Sequence, residues 1–180
     1  GYVGCTFMGL SCLPCSYERY LGMEGMHGHY ASSMANKDAD LVIGVGVRFS
    51  DRATGNTAKY CPNAKIIQLD TDLSEINKNI KVDAGLIGDI VDSFARLLDK
   101  CEKKQHPEWR AHIEALRAEE NAIIAKTEEK ANGAMTPKKI FDVINEVKDR
   151  DTIIATDVGQ HQMWAAQYTD FERVRRFASS

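Results

Sequence analysis

Glycine, arginine and carboxylate groups recur in this sequence where short apolar runs end. The run at 40–49 (DLVIGVGVRF) carries Gly44 and Gly46 and leads through Arg48 and Phe49 into Ser50, Asp51 and Arg52. Glycine lets a ligand approach the backbone, and the planar arginine fork binds phosphate or carboxylate. The dinucleotide fingerprint fails here, because Phe49 stands in place of its third glycine. A glycine-softened buried strand with solvent-facing arginines fits the same residues. Asp70 closes AKIIQLD at 64–70, and Gly88-Asp89 closes AGLIGD at 84–89. Carboxylates at strand ends take ribose hydroxyls in nucleotide-binding sheets, and they serve equally as caps and turn residues.

Three further clusters carry reactive groups. Gly22 to His29 (GMEGMHGH) surrounds two Met and two His with glycines. His27 and His29 could form half of a metal site, but no Cys, Asp or Glu follows at metal spacing. Close backbone contact with a flat ligand is the alternative. Cys12-Leu-Pro-Cys15 is a C-x-x-C, yet it opens no helix after a strand and has no second pair for zinc. Packed, idle thiols remain the plainer reading. The last cluster, Asp157 to Met163 (DVGQHQM), follows an apolar run and reads as a ligand loop or as an ordinary turn.

These groups need elements to position them. The pattern predicts strands at 2–8, 40–49, 64–70, 84–89 and 152–156, the later ones apolar enough for burial on both faces. A short helix is expected over 28–37 and a helical turn over 73–79. Asp89 should cap a helix carrying Ile90, Phe94, Leu97, Leu98 and Cys101 at helical spacing. Residues 102–131, rich in Glu, Lys and Ala, form a helical connector with a solvated charged face. Thr136-Pro137 then starts another helix, with Ile140, Val143, Ile144 and Val147 as its buried stripe. Strand alternating with helix argues for an α/β fold, a parallel sheet flanked by helices. Three parts follow: 1–103 as one α/β domain, 104–131 as linker, and 132–180 as the opening of a second α/β domain.

Bulk properties exclude several classes. The 180 residues carry 23 Lys+Arg against 26 Asp+Glu, a net charge of -3, which gives no electrostatic reason to expect nucleic acid or an anionic membrane. No apolar stretch approaches the roughly 20 residues of a membrane helix. Five scattered cysteines, an odd number, point to reduced intracellular thiols. The sequence opens on Gly1 in a strand-prone run and stops soon after a basic stretch, so an internal piece of a longer protein is expected.

Taken in order, these segments resemble the large catalytic subunit of acetohydroxyacid synthase (acetolactate synthase), a thiamine-diphosphate family that also carries FAD. The resemblance rests on TFMGL at 6–10, LGMEGMHGHY at 21–30, GVRFSDR at 46–52, KYCPNA at 59–64, QLDTDLSEINK at 68–78, Gly88-Asp89 and DVGQHQMWAAQ at 157–167. It implies a Rossmann-like FAD-binding middle domain and the start of a thiamine-diphosphate-binding domain. FAD would contact Thr6, Phe7, Glu24, Gly25, Met26, His27, Gly46, Val47, Arg48, Phe49, Ser50, Asp70, Thr71, Asp89 and Ile90. Gln160 and His161 match positions that hold the diphosphate end of thiamine diphosphate. Arg52 matches an arginine that engages the carboxylate of the second 2-keto acid, and Met163 would line the same cavity. The Mg²⁺ ligands and the activating glutamate would lie outside these residues.

The implied reaction decarboxylates pyruvate and condenses the two-carbon unit with pyruvate or 2-oxobutyrate. This is the first common step of branched-chain amino-acid biosynthesis. The resemblance further implies a homodimer of catalytic subunits with a small regulatory subunit, in the bacterial cytoplasm or an organelle. The 180 residues alone are expected to be inactive. A sibling of the pyruvate oxidase or glyoxylate carboligase type, or a non-catalytic nucleotide- or FAD-binding module, are the alternatives. Two departures stand out. Ser50-Asp51-Arg52 replaces the usual Asp-Asp-Arg, and Cys12 and Cys15 replace small or apolar residues.

Overall fold

Parallel strands and helices make up the chain, in a computed structural model that describes residues 1–179. In order these are β1 (Val3–Cys5), β2 (Tyr20–Met23), α1 (Tyr30–Asp38), β3 (Leu41–Val45), α2 (Asp51–Thr54), β4 (Lys65–Asp70), β5 (Ala84–Ile87), α3 (Ile90–Leu98), α4 (Pro107–Lys130), α5 (Pro137–Val147), β6 (Ile154–Thr156), α6 (Gln160–Tyr168) and β7 (Phe177–Ser179). The fold is α/β with parallel sheets flanked by helices, as the patterning predicts. It forms two compact units: a contiguous one, Met34–Glu114, and a split one built from Gly1–Ser33 and the chain from Ala115 onward.

The contiguous unit holds a parallel sheet in the order β3-β4-β5. Register pairs Val45 with Leu69 and Asp70 with Ile87, so the carboxyl ends of the three strands lie side by side. One face of this sheet packs Phe49, Cys61, Ile66 and Val82 into a core, bordered by Val42, Tyr60 and Ile76. On the other face Leu69 is buried where α3 packs on β4. Leu41 and Ile43 share that face and are nearly half exposed, at 47% and 46%. The expectation that 40–49 is buried on both faces is therefore corrected. The strand stops at Val45, and the packing of α3 on this sheet falls on β4. Asp89 caps α3 as predicted, accepting the Asp92 N–H at 3.0 Å, but the helix ends before Cys101.

The split unit has two small parallel pairs, β1-β2 and β6-β7. Neither β2 nor β7 is predicted by the sequence pattern. Thr136 caps α5 through the Lys139 N–H, with Pro137 in the first turn. The expected buried stripe on α5 is not buried: Ile140, Val143 and Val147 are all exposed. The side of α5 that meets the end of α6 uses Asn145, which donates to the Tyr168 carbonyl at 2.7 Å and accepts from the Asp170 N–H at 3.0 Å. Asn145 thus ties this helix to the end of α6, with Ile144 alone of the expected stripe half-buried. β6 is likewise half-exposed rather than buried.

Candidate functional site

In the contiguous unit the chain leaves β3 through Gly46, at φ +59°, whose N–H donates to the Leu69 carbonyl at 2.8 Å. The loop Gly46–Ser50 then folds back on the sheet and is held by two amide side chains. Gln68 donates from Nε2 to the Val47 carbonyl at 3.0 Å and to the Glu75 carbonyl at 3.2 Å, and Asn79 donates to the Arg48 carbonyl at 2.7 Å. Phe49 drives its ring into the core, where it is 2% exposed and stands edge-on to Tyr60 at 6.0 Å. The ring crosses Gly44, where an added Cβ would sit 2.4 Å from the Phe49 Cζ. Gly44 thus serves the protein's own packing, not the approach of a ligand. Arg48 and Arg52 are exposed, and Ser50 precedes α2 without a side-chain cap bond.

Asp70 ends β4 as a buried carboxylate, its Oδ1 accepting the Asp72 N–H at 3.0 Å and its carbonyl accepting the Gly88 N–H at 3.1 Å. Thr71 beside it is exposed. A Cβ on Gly46 would lie 3.7 Å from the Ile90 Cδ1. The fold therefore brings the predicted residues Gly46, Val47, Asp70, Asp89 and Ile90 to one sheet edge. That edge offers a buried acid and an open glycine, with the exposed Arg48 following in the loop, groups chemically able to meet hydroxyls and anions. Gln68 is the residue that sequence reasoning missed here. A buried amide inside an apolar strand carries no periodic signal.

In the split unit, Thr6 precedes a single 3-10 turn, Phe7–Gly9, and the Phe7 ring meets Phe177 edge-on at 5.3 Å. Glu24 donates its N–H to the Cys5 carbonyl at 2.7 Å, Met26 is exposed, and the His27 carbonyl accepts from Gln167 at 2.7 Å. Gly25 closes a turn by accepting the Gly28 N–H. Gly22, at φ +82°, lies against the His29 ring, so this glycine too makes room for the protein's own side chain. His29 is not paired for metal: its Nδ1 meets Glu120 Oε1 at 2.7 Å, while Glu120 Oε2 accepts the Ala31 N–H at 2.9 Å. Burial pushes the Glu120 carboxyl up, but these two hydrogen bonds and the nearby His29 and Arg117 charges together outweigh it and hold it below the usual range.

Gln160 and His161 stand exposed in the first turn of α6, and Met163 is half-buried behind them. The unit also holds a cavity of about 210 Å³ lined by Tyr20, His29, Arg117, Glu120, Thr169 and Phe171 among others. Of the residues singled out from the sequence, Cys15, Gly22 and His29 line it, whereas none of the expected FAD, thiamine-diphosphate or keto-acid contacts does among the described residues. Its central pair, His29 and Glu120, is 91 positions apart and has no spacing signal in the sequence.

Comparison with known proteins decides the family. The thiamine pyrophosphate enzyme central domain matches residues 2–97, more than half of the chain. The chain belongs to the thiamine pyrophosphate enzyme family. Within this family it is similar to the acetolactate synthase isozyme 3 large subunit of Escherichia coli (strain K12), 36% identical over 99% of this chain and 32% of that protein. The acetolactate synthase large subunit of Lactococcus lactis is 39% identical over 97% of this chain and 30% of its own length. That of Corynebacterium glutamicum is 36% identical over 97% and 28% respectively. The chain spans about a third of the length of the curated relatives it matches. The family match falls on the whole sheet of the contiguous unit, including the Gly46, Asp70 and Asp89 edge.

Proposed function

We propose that this chain is part of an acetolactate synthase large subunit. In that role it supplies the middle, FAD-carrying domain at 1–103, a helical linker at 104–131 and the opening of the thiamine-diphosphate domain from 132. The observation that carries this reading is the similarity to acetolactate synthase large subunits across 97–99% of the chain. The protein would convert pyruvate, with a second pyruvate or 2-oxobutyrate, to the branched acetohydroxy acid. It would do so as a homodimer with a small regulatory subunit in the cytoplasm.

The sheet edge of the contiguous unit fits the adenosine side of FAD. Asp70 commits only Oδ1 to the Asp72 N–H among the hydrogen bonds described, leaving capacity for ribose hydroxyls. Gly46 has room above it, limited only by Ile90. Gly46 to Ser50, Asp70, Thr71, Asp89 and Ile90 are the proposed contacts there, with Phe49 limited to its backbone by its buried ring. Thr6, Phe7 and Glu24 to His27 are proposed flavin contacts on the family resemblance. Ser50 would bind through its hydroxyl, with one negative charge fewer than the family's usual Asp.

Gln160 and His161 fit the diphosphate of thiamine diphosphate. Both are exposed at the amino end of α6, where the helix dipole favours an anion. Thiamine diphosphate would supply the ring that stabilises the carbanion left by decarboxylation. Arg52 would hold the carboxylate of the second keto acid, and Met163 would exclude water from the same cavity. Mg²⁺ ligands are placed outside these residues. The test is acetolactate formation by the full-length protein supplied with pyruvate, thiamine diphosphate, Mg²⁺ and FAD. Arg52→Ala should raise the KM for the second keto acid more than it lowers decarboxylation. Pyruvate consumption without any acetolactate would overturn the assignment, as would acetolactate made by the 180 residues alone for the proposed inactivity of that part.

A further inference from the structure

Val47, Arg48 and Phe49 follow the carboxyl end of β3, and residues well along the chain set the direction of their peptide groups. Gln68 on β4 donates to the Val47 carbonyl at 3.0 Å, and Asn79, 31 residues beyond Arg48, donates to the Arg48 carbonyl at 2.7 Å. No peptide bond is cis among the described residues, so each planar unit points its N–H opposite to its carbonyl. The Val47 carbonyl shares its unit with the Arg48 N–H, and the Arg48 carbonyl shares its unit with the Phe49 N–H. Two successive N–H groups therefore point away from Gln68 and Asn79.

Neither N–H meets a protein acceptor among the described residues. Arg48 is exposed and water can serve it, but Phe49 is buried, and an unpaired N–H on so buried a residue is rare. Phe49 also holds φ +47°, a left-handed conformation that a bulky residue keeps only where its surroundings impose it. Its buried ring and the Asn79 bond impose it here. Successive N–H groups at a left-handed turn form a donor set for anionic oxygen. The exposed Arg48 guanidinium adds a positive charge and makes no ion pair among the described residues. Gln68 spends its Nε2 on the Val47 and Glu75 carbonyls, while its buried Oε1 has no partner among the described residues. An unpaired buried oxygen is costly, so this amide is kept for what it donates.

We propose that Gln68 and Asn79 are positioning residues for a phosphate group. They aim the Arg48 and Phe49 N–H groups, joined by the Arg48 guanidinium, at one phosphate of a nucleoside diphosphate. That role rests on the proposed binding of FAD at this edge, where Asp70 takes the ribose and the loop takes the diphosphate. Both amides act through the peptide units they hold, from the side opposite the phosphate.

The experiment titrates the flavin-free full-length protein with ADP and with adenosine by calorimetry, and follows deuterium exchange over residues 46–50 in each complex. Wild type should bind ADP about tenfold more tightly than adenosine, because N–H and guanidinium bonds to a charged phosphate are strong. ADP, but not adenosine, should slow exchange over 46–50. Gln68→Met, which keeps the length but cannot donate, should remove most of that tenfold preference, and Asn79→Ala should lower it about threefold. Adenosine affinity should stay within about twofold in both variants, whereas a merely loosened edge would weaken both ligands together. Asn79 is exposed, so its variant carries the test if Gln68→Met does not fold. An unchanged ADP preference in the folded variants, or no slowing over 46–50 by ADP, would overturn the positioning role, while FAD binding stands or falls by its own titration. Failure of wild type to bind either FAD or ADP would overturn both.

Discussion

The contiguous unit and the split unit pair parallel strands at similar separations in the chain, but only the split unit ties together segments from the two ends of the chain. In the contiguous unit, β3, β4 and β5 follow one another, and each is four to six residues of dense apolar sequence. In the split unit, β6-β7 pairs three-residue strands, and side chains bridge positions as far apart as Ser11 and Phe177, 166 residues away. Short strands bury little apolar surface, so hydrogen bonds and single polar anchors supply what a long hydrophobic run supplies elsewhere. The difference teaches that the contiguous unit is built from local apolar runs, whereas the split unit joins its two chain segments through long-range polar bonds set around its own core of Cys5, Leu10, Met23 and Ala166.

Substitutions can break that contrast, beginning with the largest effect. Phe49→Ala should cost about 3–5 kcal/mol by urea unfolding, because the ring fills the contiguous core. A cost near zero would contradict a packing-held unit. Ser11→Ala should cost roughly 1–3 kcal/mol, leaving two backbone N–H groups without their acceptor. A cost near zero would show that this long-range joint does not hold the split unit's two segments together. Glu120→Gln should cost roughly 1 kcal/mol at neutral pH by weakening the His29 and Ala31 bonds. The folded carboxyl titrates below an unfolded glutamate. The wild-type advantage is therefore full above about pH 4.3 and fades as pH falls through the lower folded value. Melts compared from pH 7 down to pH 3 check the sign. Asp89→Ala and Thr136→Ala should each cost about 1 kcal/mol, one in each unit. Equal small costs are the control, since caps are local wherever they sit.

The same contrast explains what the sequence reveals. β3, β4, β5 and the capped starts of α3 and α5 are legible, because apolar runs and cap residues act over a few positions. β2 and β7 are not, since Tyr20–Met23 and Phe177–Ser179 are only four and three residues long and follow turn-rich or charged sequence that masks them. Two glycines mislead because the side chains that fill their space lie elsewhere in the sequence. Gly22 and Gly44 look like room for a ligand but hold His29 and Phe49. Asp70 at its strand end was legible as a carboxylate in place, whereas Gln68 supporting the adjoining loop was not. The apolar stripe of α5 marks a helix face correctly but not what covers it.

The central claim is that the edge formed by Gly46, Asp70 and Asp89 holds FAD. Titrating the flavin-free full-length protein with FAD, followed by flavin fluorescence, tests it most directly when wild type is compared with Asp70→Asn. Asn keeps the Asp72 turn bond but not the charge, so the melting temperature should be unchanged. The account predicts saturable FAD binding that weakens about tenfold in the variant, near 1.4 kcal/mol. Equal affinity in the two proteins, or no FAD binding by either, would contradict it.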